Sequence, residues 1–205
     1  MAESFLKSLQ LAGTSFLAVA LLSGCSTYVP LVYTPQINVK PVTGAGAVTV
    51  RVEVTDARPV PAGEIGAVKD DWGIKTSTIL TTNDVPGFLK GVLETELTQR
   101  GFNPGGSNVL VRVELNDFSS YFSVVPPVLS GGNVSGRVSM DVHVQRADAS
   151  QVFEKPVVGE FSEGNVSYFG TDRVRYGLDN ALQDAMTKLF NDEAFIASLL
   201  SAAKP

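Results

Sequence analysis

The residue pattern predicts an α+β fold: a mostly antiparallel sheet of four to five strands with two main helices packed on one face, preceded by a cleaved leader and a flexible tether. Three observations predict it. Val48 to Val54, Val109 to Leu115 and Val134 to Val144 alternate apolar with polar residues, the period of a half-buried strand. Over 85–97 and 174–189 apolar residues recur at three and four, the stripe of a helix lying on a sheet. The order strand, strand, helix, three strands, helix fits a sheet covered on one face.

The leader comes first. Lys7 and the α-amino group against Glu3 make a weakly positive start, Leu11 to Leu22 is apolar, and small residues precede Cys25. As a helix the apolar run would span roughly 18 Å, against a hydrocarbon core of about 30 Å, too short for an ordinary membrane span. Leu22-Ser23-Gly24-Cys25 has the form of a bacterial lipobox, so residues 1–24 read as a lipoprotein signal peptide. The expected mature chain begins at Cys25 with covalent diacylglycerol and an N-acyl lipid; no other cofactor is expected. Cys25 is the only cysteine, and acylation accounts for a lone thiol in an exported chain. Each buried methylene contributes about 0.8 kcal/mol, so two or three acyl chains hold where one holds only marginally. Ser26 stands where an aspartate marks inner-membrane retention in enteric-type sorting, which favours the outer membrane, facing the periplasm.

Residues 25–46 read as the lipidated start and tether, rich in Pro, Thr, Val and Gly and almost free of charge. As a coil, this span would cover roughly 25 Å. Its apolar residues (Val29, Leu31, Val32, Tyr33, Ile37, Val39) are many for a free linker, so part is expected to dock on the domain, residues 47–205.

The first strand ends at Asp56-Ala57-Arg58-Pro59, with Asp56 and Arg58 expected as an exposed pair worth about 0.2–1 kcal/mol. Gly63 to Gly66 reads as a turn-rich crossing, and Trp72 to Thr81 as a short strand through Ile74, Thr76, Thr78 and Leu80. Asn83 or Thr82 is the expected cap of the first helix, whose stripe is Val85, Phe88, Leu89, Val92, Leu93 and Leu97. Gly101 ends it, with Arg100 near the negative end of its dipole. The run from Val109 continues through Phe118 towards Val124, and Pro126 to Gly132 makes a loop. Val134, Gly136, Val138, Met140, Val142 and Val144 share one face of the next strand, and Asp148-Ala149-Ser150 turns it. The returning strand, Gln151 to about Tyr168, carries Pro156 and Gly159 and therefore belongs at an edge or on a bulge. Thr171 caps the second helix, with the stripe Val174, Leu178, Ala181, Leu182, Ala185, Met186 and Leu189; after Asp192 a further turn or two carries Phe195, Ile196, Leu199 and Leu200.

On the strand Val48 to Val54 running into Asp56-Ala57-Arg58, the helix exit Leu97 to Phe102, the strand Val109 to Leu115 and the terminal helix, the chain resembles the YajG family of uncharacterised bacterial lipoproteins. The resemblance implies an envelope lipoprotein and supplies no catalytic residues.

Chemistry bounds the rest. Removing the leader takes Lys7 and Glu3 from 16 basic and 21 acidic residues, so the net charge stays at −5 and nucleic acid is not an expected partner. His143, the only histidine, falls on the polar side of its strand, and no serine sits in a nucleophile-elbow pattern. No catalytic or metal-binding residue is expected. Asp70-Asp71 lacks the ligand spacing of a calcium loop and reads as an acidic turn. One surface stands out: Val125, Pro126, Pro127, Val128 and Leu129 are apolar where a loop should be polar, a candidate patch for a partner. Tyr168-Phe169 reads as core. The expected function is that of a non-enzymatic envelope lipoprotein, held to a membrane by its anchor, whose domain binds an envelope protein or lipid. An auxiliary subunit of an envelope lipid or ABC transport system and a cryptic hydrolase are the alternatives.

Overall fold

The computed structural model of the protein describes residues 26–37, 39–124, 131–167 and 170–203. In chain order its elements are β1 (Ser26–Tyr28), β2 (Thr49–Asp56), β3 (Glu64–Lys69), β4 (Lys75–Leu80), α1 (Val85–Gln99), β5 (Asn103–Pro104), β6 (Val109–Val124), β7 (Gly132–Arg146), β8 (Gln151–Val166), α2 (Thr171–Phe190) and α3 (Glu193–Ala202). It is an α+β fold, an eight-stranded mixed sheet with three helices.

The antiparallel run β6–β7–β8 forms one half of the sheet, with β8 at the edge as its proline demands. The other edge of β6 is shared by two short strands. β2 runs parallel to it from Val50↔Val109 to Asp56↔Leu115, and β3 runs parallel from Gly66↔Ser120 to Lys69↔Ser123. β4 pairs antiparallel with β3, β1 lies parallel to β4, and β5 lies parallel to β2. The expectation of four to five mostly antiparallel strands is therefore corrected: the described sheet has eight, and four pairings are parallel. Alternation reports which residues face a core but not strand direction. Parallel neighbours need a long crossover, here supplied by β3, β4 and α1 between β2 and β6.

Where β6 changes partner, between Leu115 and Ser120, it bulges. Arg58 fills this gap. Its Nε and Nη2 donate to the Asp56 carboxylate at 2.8 and 2.7 Å, and its Nη1 donates to the carbonyls of Glu64 (2.8 Å) and Phe118 (3.4 Å). The expected exposed pair is thus corrected, since only 3% of the Arg58 side chain is exposed. β4 is corrected too: Ile79 is its buried residue, and Trp72 and Ile74 lie beyond it in the hairpin tip.

All helices pack on one face. The predicted inward face of β7 is buried throughout, as is the predicted stripe of α2. Each large apolar side chain so buried contributes about 1.5–3 kcal/mol. α2 approaches closely because β7 and β8 present Gly136 and Gly159 beneath it; a Cβ there would stand 2.1 Å from the Gly177 carbonyl oxygen and 2.0 Å from that of Ala181. α1 ends as predicted, with Gly101 at φ 88° and Phe102 N donating to Leu97 O. Its cap is Asp84, whose carboxylate accepts from Gly87 N at 3.1 Å, and not Asn83 or Thr82. Gly170, not Thr171, occupies the cap position of α2. The turn after Asp192 is a full helix, α3, capped by Asp192 through Ala194 N and Phe195 N.

Candidate binding site

The span 29–36, part of the expected tether, lies along α1 and α2. Val29 and Leu31 are buried, which accounts for the apolar content of this stretch. Val29 N donates to Leu80 O at 2.8 Å and Leu31 N to Asn83 Oδ1 at 2.9 Å. Asn83 is available for that contact because Asp84 does the capping.

Further along, the span closes over a charge pair at the C-terminal end of α1. Glu96 falls within the apolar stripe, beside Leu97, and is 0% exposed. Arg100, one turn on, donates from Nη1 to Glu96 Oε2 at 2.5 Å and from Nη2 to Gln36 Oε1 at 3.0 Å. Tyr33 Oη donates to Glu96 Oε1 at 2.5 Å, Gln36 N donates to the same oxygen at 3.3 Å, and Gln36 Nε2 donates to Thr187 Oγ1 at 2.5 Å. The guanidinium lies 4.2 Å over the Phe190 ring. Burial, and next the Glu96 carboxylate, push the Tyr33 phenol well above its ordinary range.

Beside this seam opens a cavity of about 500 Å³, lined by Val32, Thr34, Asp172, Arg173, Arg175, Tyr176 and Asp179. Thr34 donates to Asp179 from N and Oγ1 at 3.4 and 3.5 Å, and Gln183 Nε2 donates to it at 3.3 Å. Burial raises the Asp179 carboxyl above the usual carboxylate range. Asp172 pairs with Arg175 at 3.3 Å. The Tyr176 ring is about half exposed and is held edge-on by Phe161, centroids 5.2 Å apart. A fixed aromatic ring, one aliphatic side chain and a rim of both charges make a surface suited to contact with a mixed polar and apolar segment.

A family model described as an uncharacterized lipoprotein matches residues 35–199. The chain belongs to that uncharacterized lipoprotein family. As a lipoprotein it is membrane-anchored in the bacterial envelope. Among solved structures this lipoprotein is similar to a protein from Xanthomonas campestris at 13% identity, with a TM-score of 0.57, over 85% of this chain and 99% of that one. A second, described as an uncharacterized protein, matches at 12% identity, TM-score 0.51, over 81% and 96%. A minor lipoprotein from Acinetobacter baumannii matches at 10% identity, TM-score 0.36, over 62% and 90%. These likenesses concern the fold alone. No curated protein matches the lipoprotein.

Of the residues singled out from sequence, Leu22, Ser23, Gly24 and Cys25, the patch Val125, Pro126, Pro127, Val128 and Leu129, and Tyr168-Phe169 lie outside the described residues. The flanks of the patch, Val124 and Gly132, pair with each other. Asp70 is a turn residue, its Oδ1 accepting from Trp72 N and Ile74 N at 3.0 and 2.8 Å. His143 stands on the open face of the sheet, in register with Arg112 and Glu154. Sequence reasoning placed Tyr33 in a stretch expected to dock, without its bond to Glu96, and missed Glu96, Tyr176 and Asp179. The legible signal was Glu96, an acid set inside an apolar stripe.

Proposed function

We propose that this lipoprotein is a non-enzymatic binding module, acylated at Cys25 and held at the outer membrane facing the periplasm, whose domain binds another envelope protein through the cavity beside α2. The cavity is the observation that carries the reading. Its ionisable groups are engaged with neighbours (Asp172 with Arg175, Asp179 with Thr34 and Gln183), an arrangement that presents fixed donors and acceptors for contact. Tyr176, braced by Phe161, supplies an aromatic anchor at little cost in conformational entropy. Ser26 after the cysteine supports the outer-membrane placement, and residues 48–58 and 97–102 support assignment to the YajG type.

A photocrosslinker at position 176 of the anchored protein in intact cells tests this reading. One envelope protein should be captured, and Arg175→Glu should abolish the capture while leaving protein level and membrane attachment unchanged. An anchored, folded protein that captures nothing from 176 refutes the reading.

A further inference from the structure

We propose that the β3–β4 hairpin tip, residues 70–74, docks in the bilayer that holds the anchor, placing Trp72 and Ile74 in its interfacial layer. This rests on acylation of Cys25.

The path of the chain puts anchor and tip at the same end of the molecule. β1 lies parallel to β4, with Ser26 opposite Thr78 and Tyr28 opposite Leu80. β4 runs away from the tip, so the chain enters the sheet from the tip side, at Ser26. Residue 25 is one peptide unit earlier, its Cα about 3.8 Å from that of Ser26. No length of free chain separates the acylated residue from the sheet. The domain must therefore sit against the bilayer with this end towards it.

The tip is made for that position. Trp72 is 82% exposed and Ile74 62% exposed. The backbone beneath both is fixed, because Asp70 Oδ1 accepts from both of their backbone N–H groups, Asp70 N donates to Ile74 O at 3.0 Å and Gly73 N donates to Asp70 O at 3.0 Å. Insertion then orders side chains but little backbone. Indole, an apolar body with one N–H donor, favours the membrane–water boundary. The depth also agrees. At about 3.3 Å per residue the level of Ser26 stands roughly 10 Å back from Lys75, with the tip beyond. A tip seated roughly 5–10 Å into the boundary leaves residue 25 near the headgroups, within reach of its own acyl chains.

Charge says which lipid chemistry is recognised. Lys69 lies 4.1 Å over the Tyr121 ring and Lys75 is paired with Glu64 at 2.7 Å, while Asp70 and Asp71 balance them. With no net positive charge at the tip, the contact is with the interfacial layer itself and needs no anionic headgroup.

Trp72 is the only tryptophan, so its fluorescence reports this contact alone. The protein as purified from bacterial membranes is placed in zwitterionic phosphatidylcholine vesicles, and its intact mass is measured in parallel. The expected result is a blue-shifted Trp72 emission, most of which is lost when the acyl chains are brominated, with the shift unchanged by anionic lipid or salt. Ile74→Asp should reduce the quenching. A protein whose mass shows acyl chains on Cys25 but whose Trp72 emits as in water, unquenched, overturns the docking and leaves the tip facing solvent or protein. A mass showing an unmodified Cys25 overturns the acylation reading itself, and the docking with it.

Discussion

Glu96 in the last turn of α1 and Arg100 at its C-terminal cap are paired one turn apart with both side chains buried, Arg100 Nη1 standing 2.5 Å from Glu96 Oε2. The pair is completed from outside the helix by Tyr33 and Gln36, so the same two charges that neutralise each other also hold the N-terminal span down. A buried pair of this kind adds little net stability, but its halves are costly alone.

Removing one half should therefore destabilise strongly. Arg100→Leu leaves the Glu96 carboxylate with only the Tyr33 hydroxyl and the Gln36 N–H, and a loss of about 3–5 kcal/mol is expected. Urea denaturation measures it. The double variant Glu96→Leu with Arg100→Leu should lose less than the two single variants summed; simple additivity would show that the charges do not depend on each other.

Tyr33 makes the seam sensitive to alkali. Its pKa in the folded protein is raised, by burial first and by Glu96 second, so its stabilisation is complete below the ordinary phenol value of about 10 and is lost as pH rises beyond it. The amide of Gln36, bonded to Glu96, should exchange hydrogen faster than the rest of the domain as pH climbs through that range, after correction for intrinsic exchange. Tyr33→Phe should abolish the added pH dependence and, at neutral pH, cost about 1.5–3 kcal/mol for a hydrogen bond to a charged acceptor.

Much of the fold could be read in the residues, for physical reasons. Val134 to Val144 keeps strict alternation because one face meets helices and the other meets water, and the α2 stripe is intact because the helix lies along the sheet for its whole length. β1 left no trace, since three residues show no period and their partner lies some fifty residues away. β3 was obscured by Gly63 and Gly66, which read as turn residues. The binding cavity was illegible because α2 and the span 29–36 meet only in three dimensions, and Tyr176 on an exposed helix face resembles any surface tyrosine.

The Asp56–Arg58 pair predicts an acid limit. Hydrogen bonding from Arg58 holds the Asp56 carboxyl below the usual carboxylate range, so its stabilisation is present above the ordinary value of about 4 and is lost as pH falls through the lowered value. Thermal unfolding of the wild type should fall off below about pH 4, and that of Asp56→Asn should be lower at pH 7 and flatter in acid. Arg58→Leu should cost about 1–3 kcal/mol for each carbonyl left without its donor, those of Glu64 and Phe118. Arg58→Lys should not rescue it, because one ammonium cannot span the carboxylate and both carbonyls.

The close seat of α2 separates two kinds of glycine. An alanine at Gly159 would set its Cβ 2.0 Å from the Ala181 carbonyl oxygen and 2.5 Å from Ala185 N, and at Gly136 2.1 Å from the Gly177 carbonyl oxygen. These neighbours are helix backbone and cannot swing aside, so α2 must lift and carry its whole apolar stripe with it. Gly136→Ala and Gly159→Ala should each cost about 1–3 kcal/mol or more through overpacking. Gly177 differs: its added Cβ would meet side-chain atoms, a Val134 methyl at 3.4 Å and Ser120 Oγ at 2.9 Å, and the hydroxyl would have to give up its hydrogen bond to the Ser135 carbonyl. Alanine gains about 1 kcal/mol of helix propensity over glycine, which offsets much of the cost of that one hydrogen bond, so Gly177→Ala should lose less than either sheet glycine. Urea midpoints of the three variants decide the matter: equal losses at 136, 159 and 177 would mean that backbone contact does not set the distance between helix and sheet.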